Sequence, residues 1–437
     1  MEVSPHYLSV IPFIGLLLMI ATGPVLYPHF WHRYYVPIAI SLGAVVVGYY
    51  VFALGNYDAP VEALAEYIQF ILLIASLYMV SGSILIKLNY APTPRINLAV
   101  LWTGAVLANF IGTTGASMLL IRPYIRLNKK RLSAYHIVFF IFMVSNVGGV
   151  CTPVADPPLF LGFLKGVPFF FTLWHGILPF FFALSLLSMV FYWLDGKTAL
   201  QGKVLKTTEQ AGITIKGARN FLLFIAILGA VFLDPHKLDI PYLPYTDQGG
   251  HVHHFSFIRE LIFVGVILYV RFTADRAVLR ANNFTLEPLK EVVFIFIGIF
   301  FTMMPALSLI KNMATAHQER INPNLLYWAT GILSSVLDNA PTYLNFLTAG
   351  MAAKGLNIET IADVGTYAKD HAAWLSTTSI AAVFFGAMTY VGNGPNFMVR
   401  AIAEEQGLKM PSFGGYIWRY SIRFLLPVLC LVWLVFT

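Results

Sequence analysis

The chain has 437 residues, of which 58% are apolar or aromatic and only 11% charged, against about 25% charged in a soluble globular protein. That composition excludes an ordinary cytosolic protein and, at about 20 apolar residues per crossing plus loops, leaves room for roughly 11 crossings and no large soluble domain. The net charge of +7 would suggest nucleic acid for a soluble protein, but here basic cytoplasmic loops account for it.

The first apolar run, 7–27, follows Glu2 with no Lys or Arg before it. It lacks the basic region of a cleavable signal and reads as a retained span. Further apolar runs cover 34–54, 64–86, 134–151, 170–194, 219–233, 257–271, 289–310, 373–391 and 420–437, which makes about ten transmembrane helices. Two more apolar segments, 97–121 and 325–349, are interrupted near their centres by Gly, Pro, Asn, Asp and Thr. Such residues break a plain spanning helix. Cys151 and Cys430 lie far apart in apolar surroundings and suggest neither a disulfide nor a Cys-based metal site.

Basic residues crowd three loops: Arg122 to Arg131, Lys197 to Arg219, and Arg271 to Lys290. The positive-inside rule assigns these to the cytoplasm. Segment 234–256 has only Lys237 beside Asp234, Asp239, Asp247 and four histidines, and should face outside. Segment 97–121 has basic residues on both flanks and reads as a re-entrant hairpin from the cytoplasm. Its counterpart 325–349 follows a crossing that leaves the cytoplasm at Lys290, so it should enter from outside.

The expected fold is therefore all-α and polytopic, with an inverted repeat. Residues 1–194 form the first repeat, with hairpin 97–121 and broken helix 134–165. Residues 195–218 form a cytoplasmic linker, and 219–437 the second repeat, with hairpin 325–349 and broken helix 373–403. The breaks read SNVGGVCTPVADPP from Ser145 and GAMTYVGNGPN from Gly386, and an offset of 238 sets Pro157 on Pro395 and Gly148 on Gly386. Paired interruptions in two halves are the best sequence pointer to a transporter's binding site.

The interrupted segments carry two carboxylates at their centres, Asp156 and Asp338. A carboxylate at that depth costs on the order of 3 kcal/mol to insert, which favours a functional role or a helix cap over an idle charge. A buried acid that takes either a proton or a cation couples the two, which is the chemistry of cation/proton exchange. Asp156 and Asp338 are accordingly the candidate Na+ ligands. Around them stand Asn109, Thr113, Thr114 and Ser117 in the first hairpin and Asn146 and Thr152 in the first break, with Asn339 and Thr342 in the second hairpin and Asn393 and Asn396 in the second break. Hydroxyls and amides suit a hard cation and a carboxylate substrate alike.

Several other features point away from catalysis. DGKT at 195–198 lacks the earlier Gly that a phosphate loop requires, so energy should come from a gradient. The broken segments contain no His, and no nucleophile–base pair suggests an enzyme. His251, His253 and His254 read as a solvated face rather than a metal site. Glu62, Glu66, Glu260 and Glu291 lie near span ends and read as interfacial anchors. No cofactor is expected beyond transported Na+ and H+. The expected partners are small ions or a small carboxylate and the bilayer, not nucleic acid, and a homodimer is open. The expected location is the plasma membrane, with many passes.

With these residues in view, SNVGGVCTPVADPP resembles the Gly-Gly, Thr-Pro-x-x-Asp motif of NhaD-type sodium/proton antiporters. SSVLDNAP resembles their Leu-Asp-Asn hairpin motif. The wider group is the ArsB/NhaD branch of the ion-transporter superfamily, which includes citrate and arsenite carriers. Thr152 and Asp156 match the first motif, and Asp338 and Asn339 the second. The first hairpin departs from the pattern: Asn109-Phe-Ile-Gly-Thr-Thr-Gly has no acid where the antiporters place an Asp-Asn pair. Two function classes follow. The leading one is a secondary sodium (cation)/proton antiporter, and the alternative is a gradient-coupled carrier of citrate-like carboxylates or an oxyanion such as arsenite.

Overall fold

The computed structural model describes residues 5–201, 212–233, 243–246 and 252–437. The apolar runs fold as helices. The first three are α1 (Ile11–Leu26), α2 (Pro28–Gly48) and α3 (Asp58–Gly82). Both α1 and α2 have a proline in the first turn, where its missing N–H leaves no bond unmade. Then come α4 (Pro94–Leu127), α5 (Ala134–Met143), α6 (Pro157–Leu164) and α7 (Phe169–Gln201). The second half opens with α8 (Phe221–Val231), α9 (Ile258–Thr273), α10 (Arg276–Ala281) and α11 (Glu287–Ala316). It continues with α12 (Pro323–Val336), α13 (Asn339–Ala352), α14 (Ile361–Asp370), α15 (Ala372–Phe385) and α16 (Gly394–Glu405). Finally α17 (Phe413–Tyr416) passes through a π-helical stretch, Ile417–Leu425, into α18 (Leu426–Phe436).

Among the described residues, six helical segments are long and apolar enough to cross a membrane, and four shorter apolar ones accompany them. Large apolar side chains such as Phe52, Trp174, Leu178 and Trp418 point outward, whereas Asn97, Thr113, Asp156, Asn339 and Asn396 are buried. Lipid solvates the first set, so polar groups facing one another organise the interior. The protein is an all-α polytopic membrane protein.

The apolar run expected to end at 86 stops earlier. Residues Leu85–Asn89 form β1, which pairs antiparallel with β2 (Gly212–Lys216), Leu85 opposite Lys216. The strand partner lies in the segment read as linker, too distant for a local pattern to reveal. A second pair, β3 (Leu243–Thr246) with β4 (Val252–Phe255), lies in the segment expected outside. Asp234, Lys237, Asp239, Asp247 and His251 of that segment, and 202–211 of the linker, fall outside the described residues.

Two compact units divide the chain, Met1–Ile84 with Gly217–Ile310 and Leu85–Lys216 with Lys311–Thr437. Each takes one piece from either side of the linker, so the two halves of the sequence interleave. In the first unit α3 packs on α9, and Phe70 stacks on Phe296 at 4.7 Å. Tyr67 Oη donates to Val293 O at 2.9 Å and Tyr78 Oη to Thr285 O at 2.7 Å. The second unit contains both interrupted segments and both breaks.

As a straight helix, α4 would hold Asn97 and Asn128 about 46 Å apart. Instead their side-chain amides exchange hydrogen bonds of 2.9 and 2.8 Å. The chain reverses at Gly112, whose φ of 77° and ψ of 152° suit glycine and strain any other residue. The two arms pack closely: a Cβ on Gly104 would lie 3.1 Å from Leu120 Cδ1. Helices α12 and α13 form the second hairpin, where a Cβ on Gly350 would lie 3.4 Å from Leu326 Cδ1.

The open end of the first hairpin is tied by Asp195 of α7, which is fully buried. Its Oδ2 accepts from Asn97 at 3.0 Å, and its Oδ1 accepts from Tyr135 Oη at 2.8 Å and His136 Nε2 at 3.1 Å. Arg131 completes the cluster as an ion pair with the same carboxylate. Ser133 N–H donates to His136 Nδ1 at 3.2 Å, so Nε2 is the nitrogen that carries the proton. Losing the charge of Asp195 strands Arg131 in a largely buried site. Asp195→Asn should therefore cost about 3 kcal/mol, read as a lower Tm of the purified protein. An unchanged Tm would remove Asp195 from the hairpin's support.

Candidate functional site

Asp156 stands at the N-cap position of α6 and is 1% exposed. A capping aspartate normally accepts from the second or third helical N–H. Here the second helical residue is Pro158, which has no N–H, and the third, Leu159, donates to the Asp156 carbonyl at 3.1 Å. The Asp-Pro-Pro sequence thus leaves the carboxylate free for groups from other elements.

Three donors take it. Thr113 Oγ1 donates to Oδ1 at 2.9 Å, Asn393 Nδ2 to Oδ1 at 3.0 Å, and Asn339 Nδ2 to Oδ2 at 2.7 Å. Each donor also opens a helix. Thr113 begins the second arm of α4, Asn339 is the first residue of α13, and Asn393 caps α16. Together with α6 itself, four helix N-termini meet at one buried carboxylate. Gly149 makes the approach possible, since a Cβ there would lie 2.7 Å from Thr113 Cγ2 and 2.9 Å from Asp156 Cβ.

Amides join the two breaks and satisfy the backbone that the breaks release. Asn146 Nδ2 donates to Ile141 O at 2.9 Å and to Asn396 Oδ1 at 2.7 Å. Asn396 Nδ2 donates to Gly386 O at 2.8 Å and Thr389 O at 2.9 Å. Asn393 Nδ2 also lies 3.2 Å from Ser145 O and 3.3 Å from Asn146 Oδ1.

The other expected residues make no hydrogen bond to the carboxylate itself. Thr152 Oγ1 donates to Asn109 O at 2.6 Å, and Asn109 Oδ1 accepts from Cys151 N at 3.1 Å. Ser117 and Ser145 share a hydroxyl contact of 2.8 Å. Thr342 Oγ1 donates to Asp338 O at 2.9 Å, and Thr114 is half-buried beside Thr113. Asp338 is half-buried and caps α13, accepting from Ala340 N at 3.0 Å. Because the next residue, Asn339, touches Asp156, the Asp338 Cα lies within about 10 Å of that carboxylate.

Thr389 and Ser335, absent from the expected set, also belong to the arrangement: Thr389 Oγ1 donates to Ser335 O at 2.6 Å. A sequence signal for Thr389 exists. Thr-x-Val-x-Asp-x-Pro at Thr152 to Pro158 returns as Thr-x-Val-x-Asn-x-Pro at Thr389 to Pro395. The N-caps Asp156 and Asn393 lie 237 positions apart, as do the carbonyl-bonded Thr152 and Thr389, beside the offset of 238 read from the sequence. The proline that frees Asp156 has its match in Pro395, the second residue of α16.

Amide and hydroxyl groups around one acid suit oxygen-rich ligands and hard cations. Among the described residues, no three of His, Cys, Asp or Glu gather as metal ligands. The model of the family described as "Putative citrate transport" matches residues 2–437. The comparison with curated proteins gave no match.

Proposed function

The chain belongs to this citrate-transport family, and on that premise we propose that it is a gradient-driven carrier of citrate-like carboxylates that takes its coupling cation or proton at Asp156. The observation that carries this reading is the meeting of four helix N-termini at one buried carboxylate. Each N-terminus contributes about +0.5 charge, so four bring about +2, which Asp156 and Asp338 offset whenever both are ionised. A near-neutral site cannot take a polyvalent anion alone at low cost, so substrate must enter with cations or protons. The hydroxyl and amide donors of Thr113, Asn339 and Asn393 are of the kind that hold carboxylate oxygens.

Labelled citrate offered to proteoliposomes under separate Na+ and pH gradients tests this. We expect accumulation under one of the gradients and its collapse when an ionophore dissipates that gradient. Failure to accumulate citrate under either gradient refutes the proposal.

Sodium/proton antiport is the second reading. It is favoured by the three uncharged donors on Asp156, which leave the acid's charge for a cation to neutralise. Na+-driven proton movement in the same vesicles without citrate is its signature. For either cargo, we infer that the basic end of α4 and the turn after it, 122–133, face the cytoplasm of a plasma membrane and that the hairpins enter from opposite faces as parts of an inverted repeat. Asp338→Asn separates charge from shape, because asparagine caps a helix as well as aspartate does. We expect this variant to fold with normal Tm and to lose coupling; normal coupling would leave Asp338 as a cap alone.

A further inference from the structure

One hydrogen bond is built twice at the site. Thr152 Oγ1 reaches Asn109 O, and Thr389 Oγ1 reaches Ser335 O, both at 2.6 Å. Asn109 precedes the reversal at Gly112 by three residues, and Ser335 stands at the same distance before Asp338. Carbonyls in the last turn of a helical arm have no intrahelical donor, and lipid provides none. In both halves the donor is a threonine four residues before the cap that touches the site, Asp156 or Asn393. Both threonines are buried, at 9% and 3% exposure. The Thr389 Oγ1 also accepts from Val391 N and Gly392 N of its own break at 3.1 Å, which fixes the direction of its hydroxyl.

We propose that Thr152 and Thr389 are positioning residues that hold the first and second hairpin tips shut against the breaks, each governing access to the site from one face only. The two hairpins deliver their donors to different oxygens, Thr113 to Oδ1 and Asn339 to Oδ2 of Asp156. One tip can therefore withdraw while the other keeps its bond. The reason for a tip to open rests on the carrier reading, but the geometry does not.

The test uses the full chain in proteoliposomes with Cys151→Ala and Cys430→Ala, carrying either Thr114→Cys at the first tip or Leu337→Cys at the second. Both positions are half-buried. An impermeant maleimide is applied from each side. Thr152→Val should speed labelling at position 114 about tenfold, the factor that about 1.4 kcal/mol supplies, and leave position 337 unchanged. Thr389→Val should do the reverse, by a similar factor. Thr152→Ser and Thr389→Ser keep the hydroxyl and should restore slow labelling. General loosening would raise both probes together, and a bond of no consequence would raise neither; either pattern overturns the proposal. Labelling needs no substrate, so a parent protein that takes up no citrate would defeat the carrier reading and leave this result standing.

Discussion

Asp156→Asn is expected to cut gradient-driven uptake at least about a hundredfold, equivalent to about 2.7 kcal/mol in the limiting barrier, while the protein still folds. An amide keeps one acceptor oxygen, so either the Thr113 and Asn393 bonds or the Asn339 bond survives. Asn339 can turn its amide to meet a donor. The net cost to stability should be about 1 kcal/mol. The charge is lost entirely, and with it the means of binding a proton or cation in exchange. Initial rates in proteoliposomes, measured beside the Tm of the purified variant, separate the two effects. Near-normal coupled uptake would make Asp156 a structural acid and undo the assignment of the site.

The second large effect should come from Gly149→Ala. The added methyl would sit 2.7 Å from Thr113 Cγ2 and 2.9 Å from Asp156 Cβ, closer than side-chain carbons approach one another. Overpacking costs about 1 to 3 kcal/mol, and here the strain falls on the acid and on one of its donors. We expect uptake near background and a lowered Tm. Gly386, its counterpart at the same offset, is also confined: a Cβ there would lie 2.9 Å from Asn146 Oδ1. Gly15→Ala is the control, because that Cβ meets nothing within 4 Å and alanine favours the helix. Equal loss in both variants would mean that crowding at the acid is not the cause.

The helices of this protein were legible because their cause is local. A run such as 289–310 is apolar along its whole length, and lipid requires such a segment to satisfy its own backbone as a helix. The interruptions were legible for the converse reason: Gly112, Asp156 with Pro157 and Pro158, and Asp338 stand out in apolar surroundings that tolerate few of their kind. Other features have no local cause. Asn97 meets Asp195 across 98 positions, Asn339 meets Asp156 across 183, and Asn393 meets it across 237. Composition named Thr113, Thr114, Thr152 and Thr342 as equals, whereas only Thr113 touches the acid and the others serve backbone or stand beside it. Pairing of β1 with β2 and the interleaving of the two halves were likewise hidden. A polar side chain in lipid must find a partner, and sequence reveals that need. Which partner it finds depends on where the hairpins and breaks come to rest, since a hydrogen bond forms only within about 3 Å and at a suitable angle.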